Sequence, residues 1–386
     1  MTGSFALAGA RIFDGAGLKH GRAVVIADGR VRAVLAEKEC PSGVPVHRIE
    51  GLLAPGFIDI QVNGGGGVLL NDQPTVAGVR AIAEAHRRYG TTGLLPTLVT
   101  DTRDKMAEAL AAVRQALAEG VPGVLGIHLE GPFLNPERKG VHDPKLMRRI
   151  EPEDVALVTS LGAGRTLVTI APELTTTEVI REIAGAGVRI AAGHTTASYE
   201  VMEAARAAGL TGVTHLFNAM PPFMGREPSV IGAALDDPDL WPSLIVDLFH
   251  VSAPSLRIAL EARGWERTIL VTDAMSTVGS DIRSFMLGDR EITRADGRLT
   301  TADGTLAGSD LDMATAVRNT VTTLGLPLEA ALHMASRAPA EFLGLGDELG
   351  RIAPGCRADL VLLDDALRVT ETWIDGVSSQ GERETA

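Results

Sequence analysis

The chain has 386 residues, enough for one large domain or two smaller ones, with 45% hydrophobic and 22% charged residues, an ordinary globular balance. A formal net charge of -13 argues against nucleic acid or an anionic membrane as a general partner, so any anionic substrate needs a locally positive site. Cys40 and Cys356 stand far apart without CxxC spacing and support neither a disulfide framework nor a thiolate zinc knuckle; no apolar run reaches membrane-spanning length.

The opening residues lack the basic start and long apolar core of a secretory signal, so the expected location is the cytoplasm. Over residues 5–49, apolar and polar residues alternate around turn signals. The strongest is Asp28-Gly29, which predicts a hairpin between residues 23–26 and 31–35. Residues 348–386 read the same way, with a second Asp-Gly turn at Asp375-Gly376. Chain ends tend to lie close together, so residues 1–53 and 348–386 are read as one small β-sandwich domain.

From residue 54 to 347 the pattern changes. Helical periodicity covers residues 76–89, 105–118, 152–161, 177–186, 199–208 and 254–263. Strand-like runs cover 57–62, 93–98, 124–129, 167–170, 188–192, 212–215, 243–249 and 268–272. Eight β-then-helix units with continuous apolar strands predict an α/β fold, a (β/α)8 TIM-type barrel whose strand ends share one mouth. The competing doubly wound sheet would carry GxGxxG after a strand, and none is present. The run Gly64 to Gly67 lacks the lysine and hydroxyl of a P-loop and reads as flexible backbone at the mouth.

Five of these runs end in a polar group: Glu130, His194, His215, His250 and Asp273. A carboxylate at the rim of a core needs a cation or a tight partner, because unpaired burial costs several kcal/mol. Glu130 with His194 and His215 supplies one carboxylate and two imidazoles, the composition of an open catalytic zinc site with water in the fourth position. Asp273, ending the last strand, is placed to act as general base, with an ion pair to a loop arginine as the alternative. His142 and His250 remain for substrate contacts, and His128 shares a strand face with Glu130, where it could orient that carboxylate. Arg226, in Gly225-Arg226-Glu227-Pro228, suits phosphate recognition and equally a solvated loop. His20, His47, His86 and His333 lie away from the strand ends and read as structural or exposed.

These residues resemble the N-acetylglucosamine-6-phosphate deacetylases of the amidohydrolase superfamily, over nearly the whole chain. The similarity rests on Pro55-Gly56-Phe57-Ile58-Asp59, His128-Leu129-Glu130-Gly131-Pro132, Lys139-Gly140-Val141-His142, Ala192-Gly193-His194, Thr214-His215-Leu216-Phe217-Asn218-Ala219-Met220, Gly225-Arg226-Glu227-Pro228, Val271-Thr272-Asp273-Ala274 and Gly304-Thr305-Leu306-Ala307-Gly308-Ser309. It implies that Glu130, His194 and His215 bind the metal and that Asp273 moves the proton, with His142 polarising the acetamido carbonyl. It also implies that Val141, His142, Asn218, Ala219, Arg226, His250, Ala307, Gly308 and Ser309 line a sugar-phosphate pocket. The implied reaction gives glucosamine 6-phosphate and acetate, in amino-sugar catabolism or cell-wall sugar recycling, and the implied assembly is a homodimer.

Many members of the wider superfamily hold a second metal with His-x-His at the end of the first strand. Gln61 and Asn63 occupy those positions here, and neutral amides are poor ligands for a transition metal, so one divalent ion per subunit, zinc above others, is expected. The two amides are left as supporting or substrate-contacting groups. An amidohydrolase acting on a different amide would share the metal site but need no phosphate pocket, and a dead scaffold would have no reason to keep Glu130, His194, His215 and Asp273 together.

Overall fold

Apolar side chains on both faces drive each central strand into the interior, and the strands assemble in chain order. A computed structural model describes residues 3–381; residues 1–2 and 382–386 of the predicted end ranges lie outside the described residues. We number the barrel strands β1 (Phe57–Val62), β2 (Thr91–Val99), β3 (Gly126–Glu130), β4 (Arg165–Ile170), β5 (Arg189–Ala192), β6 (Gly212–Val213), β7 (Trp241–Ile245) and β8 (Ile269–Val271). All neighbours are parallel, and the order runs without a crossover from β1 to β8. The barrel closes just beyond β8, where the Asp273 N–H donates to the Gln61 carbonyl (3.0 Å) and Ala274 pairs in parallel with Val62. Every residue of β1, β2 and β3 is buried, as a strand between a filled interior and a helical shell must be.

Loops entering the shell end in capping hydroxyls. Thr75, Thr102, Thr176 and Ser198 each accept from the N–H three residues on, opening helices Val76–Arg87, Arg103–Ala118, Thr177–Gly185 and Tyr199–Ala207. Those helices carry the period read from the sequence. Helices Ser229–Asp236 and Leu328–Ala335 escape a periodicity reading because six residues of each are buried, which leaves little polar face to mark the 3.6-residue repeat. Met313–Thr322, rich in Thr and Val, is masked by weak helix propensity.

Two further sheets come from the chain ends. A four-stranded sheet contains Phe5–Ala8, Arg22–Ala27, Arg30–Ala36 and Val46–Arg48, and a six-stranded one joins Leu18–Lys19, Arg11–Phe13 and Leu52–Pro55 to Leu360–Leu363, Val369–Ile374 and Val377–Ser378, the two halves meeting where Leu52–Pro55 pairs with Leu360–Leu363. Leu7, Ile12, Val24, Leu53, Leu360 and Trp373 pack between them. The Asp28-Gly29 hairpin forms as read, both turn residues having positive φ (51° and 72°) as a type I′ turn requires.

A third sheet was not anticipated: Ser284–Leu287, Arg290–Ala295 and Arg298–Thr300 form an antiparallel ribbon after β8. Its Asp296-Gly297 turn is the signal that could have revealed it. The glycine run also differs from its reading. Gly64–Gly65 pairs with Val68–Leu69, and a Cβ on Gly64 would lie 2.3 Å from the Val68 carbonyl, so close packing rather than flexibility requires glycine there.

Candidate active site

The ends of β3, β5 and β6 bring Glu130, His194 and His215 to one point. Glu130 Oε1 lies 3.0 Å from His215 Nε2 and 3.4 Å from His194 Nε2, and the two Nε2 atoms are 3.1 Å apart. All three residues are buried, and His194 and His215 have left-handed backbones (φ 48° and 33°), a strain that non-glycine residues bear chiefly at functional sites. His194 donates through Nδ1–H to the Arg138 carbonyl at 2.8 Å, which leaves the Nε2 lone pair directed at the cluster. Burial alone would raise the Glu130 pKa, but the adjacent His194 and His215 side chains outweigh it and hold the carboxyl well below the usual range. Lone pairs of a carboxylate and two imidazoles facing one point repel one another until a cation joins them, so the donor set fits a divalent metal site.

Asp273 approaches from the end of β8, again left-handed (φ 54°). Burial first, then the Glu130 charge, raises its pKa from 3.8 to about 7. Its Oδ1 accepts from Asn63 Nδ2 (2.7 Å) and Gln61 Nε2 (3.2 Å), and Gln61 Nε2 also donates to Glu130 Oε1 (3.0 Å). One primary amide thus bridges two carboxylates, which a single ring N–H cannot do. Beneath it, Asp59 accepts from the Thr272 hydroxyl (2.5 Å) and the Gln61 N–H (3.2 Å), fastening β1 to the end of β8.

His142 lies beside this group, its ring 4.4 Å from that of His194. The Thr100 N–H donates to Nδ1 (3.3 Å), so the proton of the neutral ring sits on Nε2. Burial, then His194, pushes its pKa down to about 3, and His142 is therefore a neutral donor. His250 is held through Nδ1 by Asp247 (2.6 Å); burial opposes its charge, but Asp247 outweighs burial and raises its pKa.

The remaining residues are arranged differently. Asn218 and Ala219 are half-buried in a loop where His215, Phe217 and Ala219 have positive φ. Val141 packs against the small cluster of Leu69, Met275, Ile292, Leu299 and Ala307 that supports the ribbon. Gly308 (φ 57°) lies where a Cβ would meet Met275 Cγ at 2.6 Å, and the Ser309 hydroxyl donates to the Thr272 carbonyl (2.5 Å). Arg226 is not among the converging groups: it is exposed, with no hydrogen bond or ion pair among the described residues. His128 does not touch Glu130 either, because its ring nitrogens face the Thr97 and Thr169 hydroxyls (3.4 and 2.8 Å). His86 and His333 are buried and bond backbone carbonyls, His47 packs on Phe5, and His20 is exposed. Sequence reasoning passed over Thr100, Asp247 and Glu173, although each lies a few residues beyond the last residue of a barrel strand.

A family model described as the amidohydrolase family matches residues 52–379. An N-acetylgalactosamine-6-phosphate deacetylase of Shewanella sp. (strain ANA-3) is 41% identical, across 95% of this chain and 94% of that protein. The crystal structure of N-acetylglucosamine-6-phosphate deacetylase from Pasteurella multocida superposes with a TM-score of 0.94 at 32% identity, covering 97% of this chain and 99% of that one. A mutant N-acetylglucosamine-6-phosphate deacetylase from Mycobacterium smegmatis, in complex with N-acetyl-D-glucosamine-6-phosphate, gives 0.90 at 35% identity over 97% and 98% of the two chains.

Proposed function

We propose that this chain, which belongs to the amidohydrolase family, hydrolyses the acetamide of N-acetylglucosamine 6-phosphate to glucosamine 6-phosphate and acetate. The observation that carries the reading is the convergence of Glu130, His194 and His215 beside an Asp273 whose Oδ1 is already held by two amides. Glu130, His194 and His215 would hold one divalent ion, zinc for its preference for this donor set, and such an ion supplies Lewis acidity and a water acidified towards neutrality.

Asp273 Oδ2 takes the proton of the attacking water, and the same carboxyl returns it to the leaving nitrogen. Burial, the largest cause of the raised Asp273 pKa, favours a carboxyl able to carry that proton. His142 Nε2–H donates to the acetamido oxygen as negative charge develops there. Gln61 and Asn63 keep Asp273 turned towards the water rather than ligating a second ion.

His250, whose pKa Asp247 raises, together with Arg226 and the loop of Asn218 and Ala219, would receive the phosphate, supported at the ribbon side by Val141 and residues 307–309. In the 215–219 loop, His215, Leu216 and Asn218 spend their N–H groups on Ser243 and His215, which leaves the Phe217 and Ala219 N–H groups for an anion. Residues 54–347 carry the chemistry in this reading, and residues 1–53 with 348–386 form a flanking β domain. Exposed Phe223 and Met224 beside Arg226 favour a homodimer. No helix among the described residues is long and apolar enough to cross a membrane.

The 41% identical relative favours a second reading, in which the galacto epimer is the preferred sugar. Measuring metal content together with kcat/KM on the two N-acetylhexosamine 6-phosphates and on unphosphorylated N-acetylglucosamine decides between them. Higher kcat/KM on the gluco phosphate is the expected result, and absence of turnover on both phosphates in the metal-loaded protein would overturn the proposal.

A further inference from the structure

Glu173 follows β4 in the turn Pro172–Leu174 and forms no ion pair among the described residues. Its carboxylate nonetheless collects four donors: the Asn135 side-chain amide (2.9 Å), the Thr196 N–H (2.6 Å), the Thr196 hydroxyl (3.0 Å) and the Thr195 hydroxyl. Three of these donors meet on Oε1 and the Thr195 hydroxyl on Oε2, so an amide in place of the carboxyl would set its NH2 against at least one of them.

Those four donors belong to two loops, and both loops end on His194. Thr195 and Thr196 directly follow it, so Glu173 holds the chain just past the left-handed turn at His194. Asn135 reaches it from the other side. Its N–H donates to the His194 carbonyl (2.9 Å), and its side-chain oxygen accepts from the Glu137 N–H (3.0 Å), capping the turn Pro136–Arg138. That turn presents the Arg138 carbonyl to His194 Nδ1. The side-chain amide of Asn135 is in turn oriented by Glu173 and by the Thr196 hydroxyl (2.9 Å). Backbone position and ring tautomer of His194 thus depend on one half-buried knot of hydrogen bonds, with Glu173 as its common acceptor.

We infer that Glu173 is a positioning residue for the metal cluster, acting through Asn135, Thr195 and Thr196 to set the direction of the His194 Nε2 lone pair. The inference rests on the metal-binding part of the proposed function. Outer partners of metal-binding histidines govern affinity because they set ring orientation and basicity, and their loss costs about 10- to 100-fold. Glu173 stands one step further out than the Arg138 carbonyl, yet it is a charged group on which both approaches to His194 converge.

The test compares metal-free wild type with Glu173→Gln. Both are titrated with Zn2+ and Co2+ in competition with a chelating indicator, the visible absorption of the Co2+ forms is recorded, and the melting temperatures of the metal-free proteins are measured. The expected result is affinity lower by about 10- to 100-fold in the variant, with an altered Co2+ spectrum. A purely structural role would lower the metal-free melting temperature alone, so unchanged affinity and spectrum overturn the inference whatever the melting temperature does. Wild type that binds neither ion overturns the metal reading and this inference with it, whereas wild type and variant that bind equally overturn this inference alone. Should Glu173→Gln fail to fold, Thr196→Val removes one donor to Glu173 and the second acceptor of the Asn135 amide, and is read in the same way: a loss of a few-fold is expected, and none overturns the inference.

Discussion

The two ends of the site are built differently. At the metal end, Glu130, His194, His215, Asp273, Gln61 and Asn63 are all at most 8% exposed, and each sits at a strand end or directly after one. At the phosphate end, Asn218 and Ala219 are half-buried in a loop, with the Asn218 amide donating to the His215 carbonyl (3.0 Å); Arg226 is exposed, and His250 is held by Asp247. Groups that handle bond breaking need geometry set before substrate arrives, and a barrel rim supplies it; groups that recognise a mobile anion can sit on longer loops at a lower cost in strain. Preorganised residues should therefore govern kcat, and loop residues KM.

The largest effect expected from that division is on Asp273. Asp273→Asn retains the shape and the amide contacts but removes the proton carrier, lowering kcat by roughly two to four powers of ten with metal content unchanged. Near wild-type kcat would refute the assigned role. His194→Ala and His215→Ala are expected to weaken Zn2+ binding by more than the ~10–100-fold that outer partners of metal ligands control, and excess Zn2+ should recover part of the turnover. Equal metal content in both variants and wild type, after dialysis at limiting metal, would break the assignment.

Arg226→Ala tests the other end. A charge-assisted contact is worth about 1.5–3 kcal/mol, so KM for the phosphorylated sugar should rise about 10- to 100-fold with kcat little changed. Activity on the unphosphorylated sugar should stay as it was; parallel losses on both substrates would erase the distinction between the two ends.

The smallest expected effect is a pH displacement. His250 has a raised pKa, so its imidazolium contribution to phosphate binding is complete below the ordinary histidine value and is lost as pH rises through the raised one. Asp247→Asn removes the partner that outweighs burial, so the rise of KM with pH should begin at lower pH than in wild type. Titration of the phosphate itself is common to both proteins and cancels in the comparison. Superimposable KM profiles would show that His250 does not serve the phosphate as a cation.

The metal end was also the more legible of the two. Glu130, His194, His215 and Asp273 announce themselves because an apolar run ending in a charged or ligating group is a local pattern, and parallel strands in register carry local endings to one mouth. The Gln61 and Asn63 positions were visible, but their bridging of Asp273 to Glu130 was not, since residues more than 60 apart in sequence meet there (Gln61 and Glu130, |i−j| 69). His128 shows the converse. Strand alternation put it on the face of Glu130, yet neighbouring strands offered Thr97 and Thr169 hydroxyls, and those took the ring.

What the sequence by itself determined is therefore the barrel strands, the residues at their ends and the Asp28-Gly29 hairpin, because each follows from side-chain period or a turn dipeptide within a few residues. Three things waited for the tertiary structure. Largely buried helices such as Leu328–Ala335 carry little polar face for a period to mark. The ribbon of residues 284–300 could be placed over Met275 and Ala307 only once a shared apolar cluster was seen. The carboxylate of Glu173 acquires meaning only from donors at positions 135, 195 and 196, which chain folding, and no local rule, brings to it. Hydrophobic period is a property of neighbours along the chain, whereas hydrogen-bond satisfaction is a property of neighbours in space, and a buried polar site is made of the second kind.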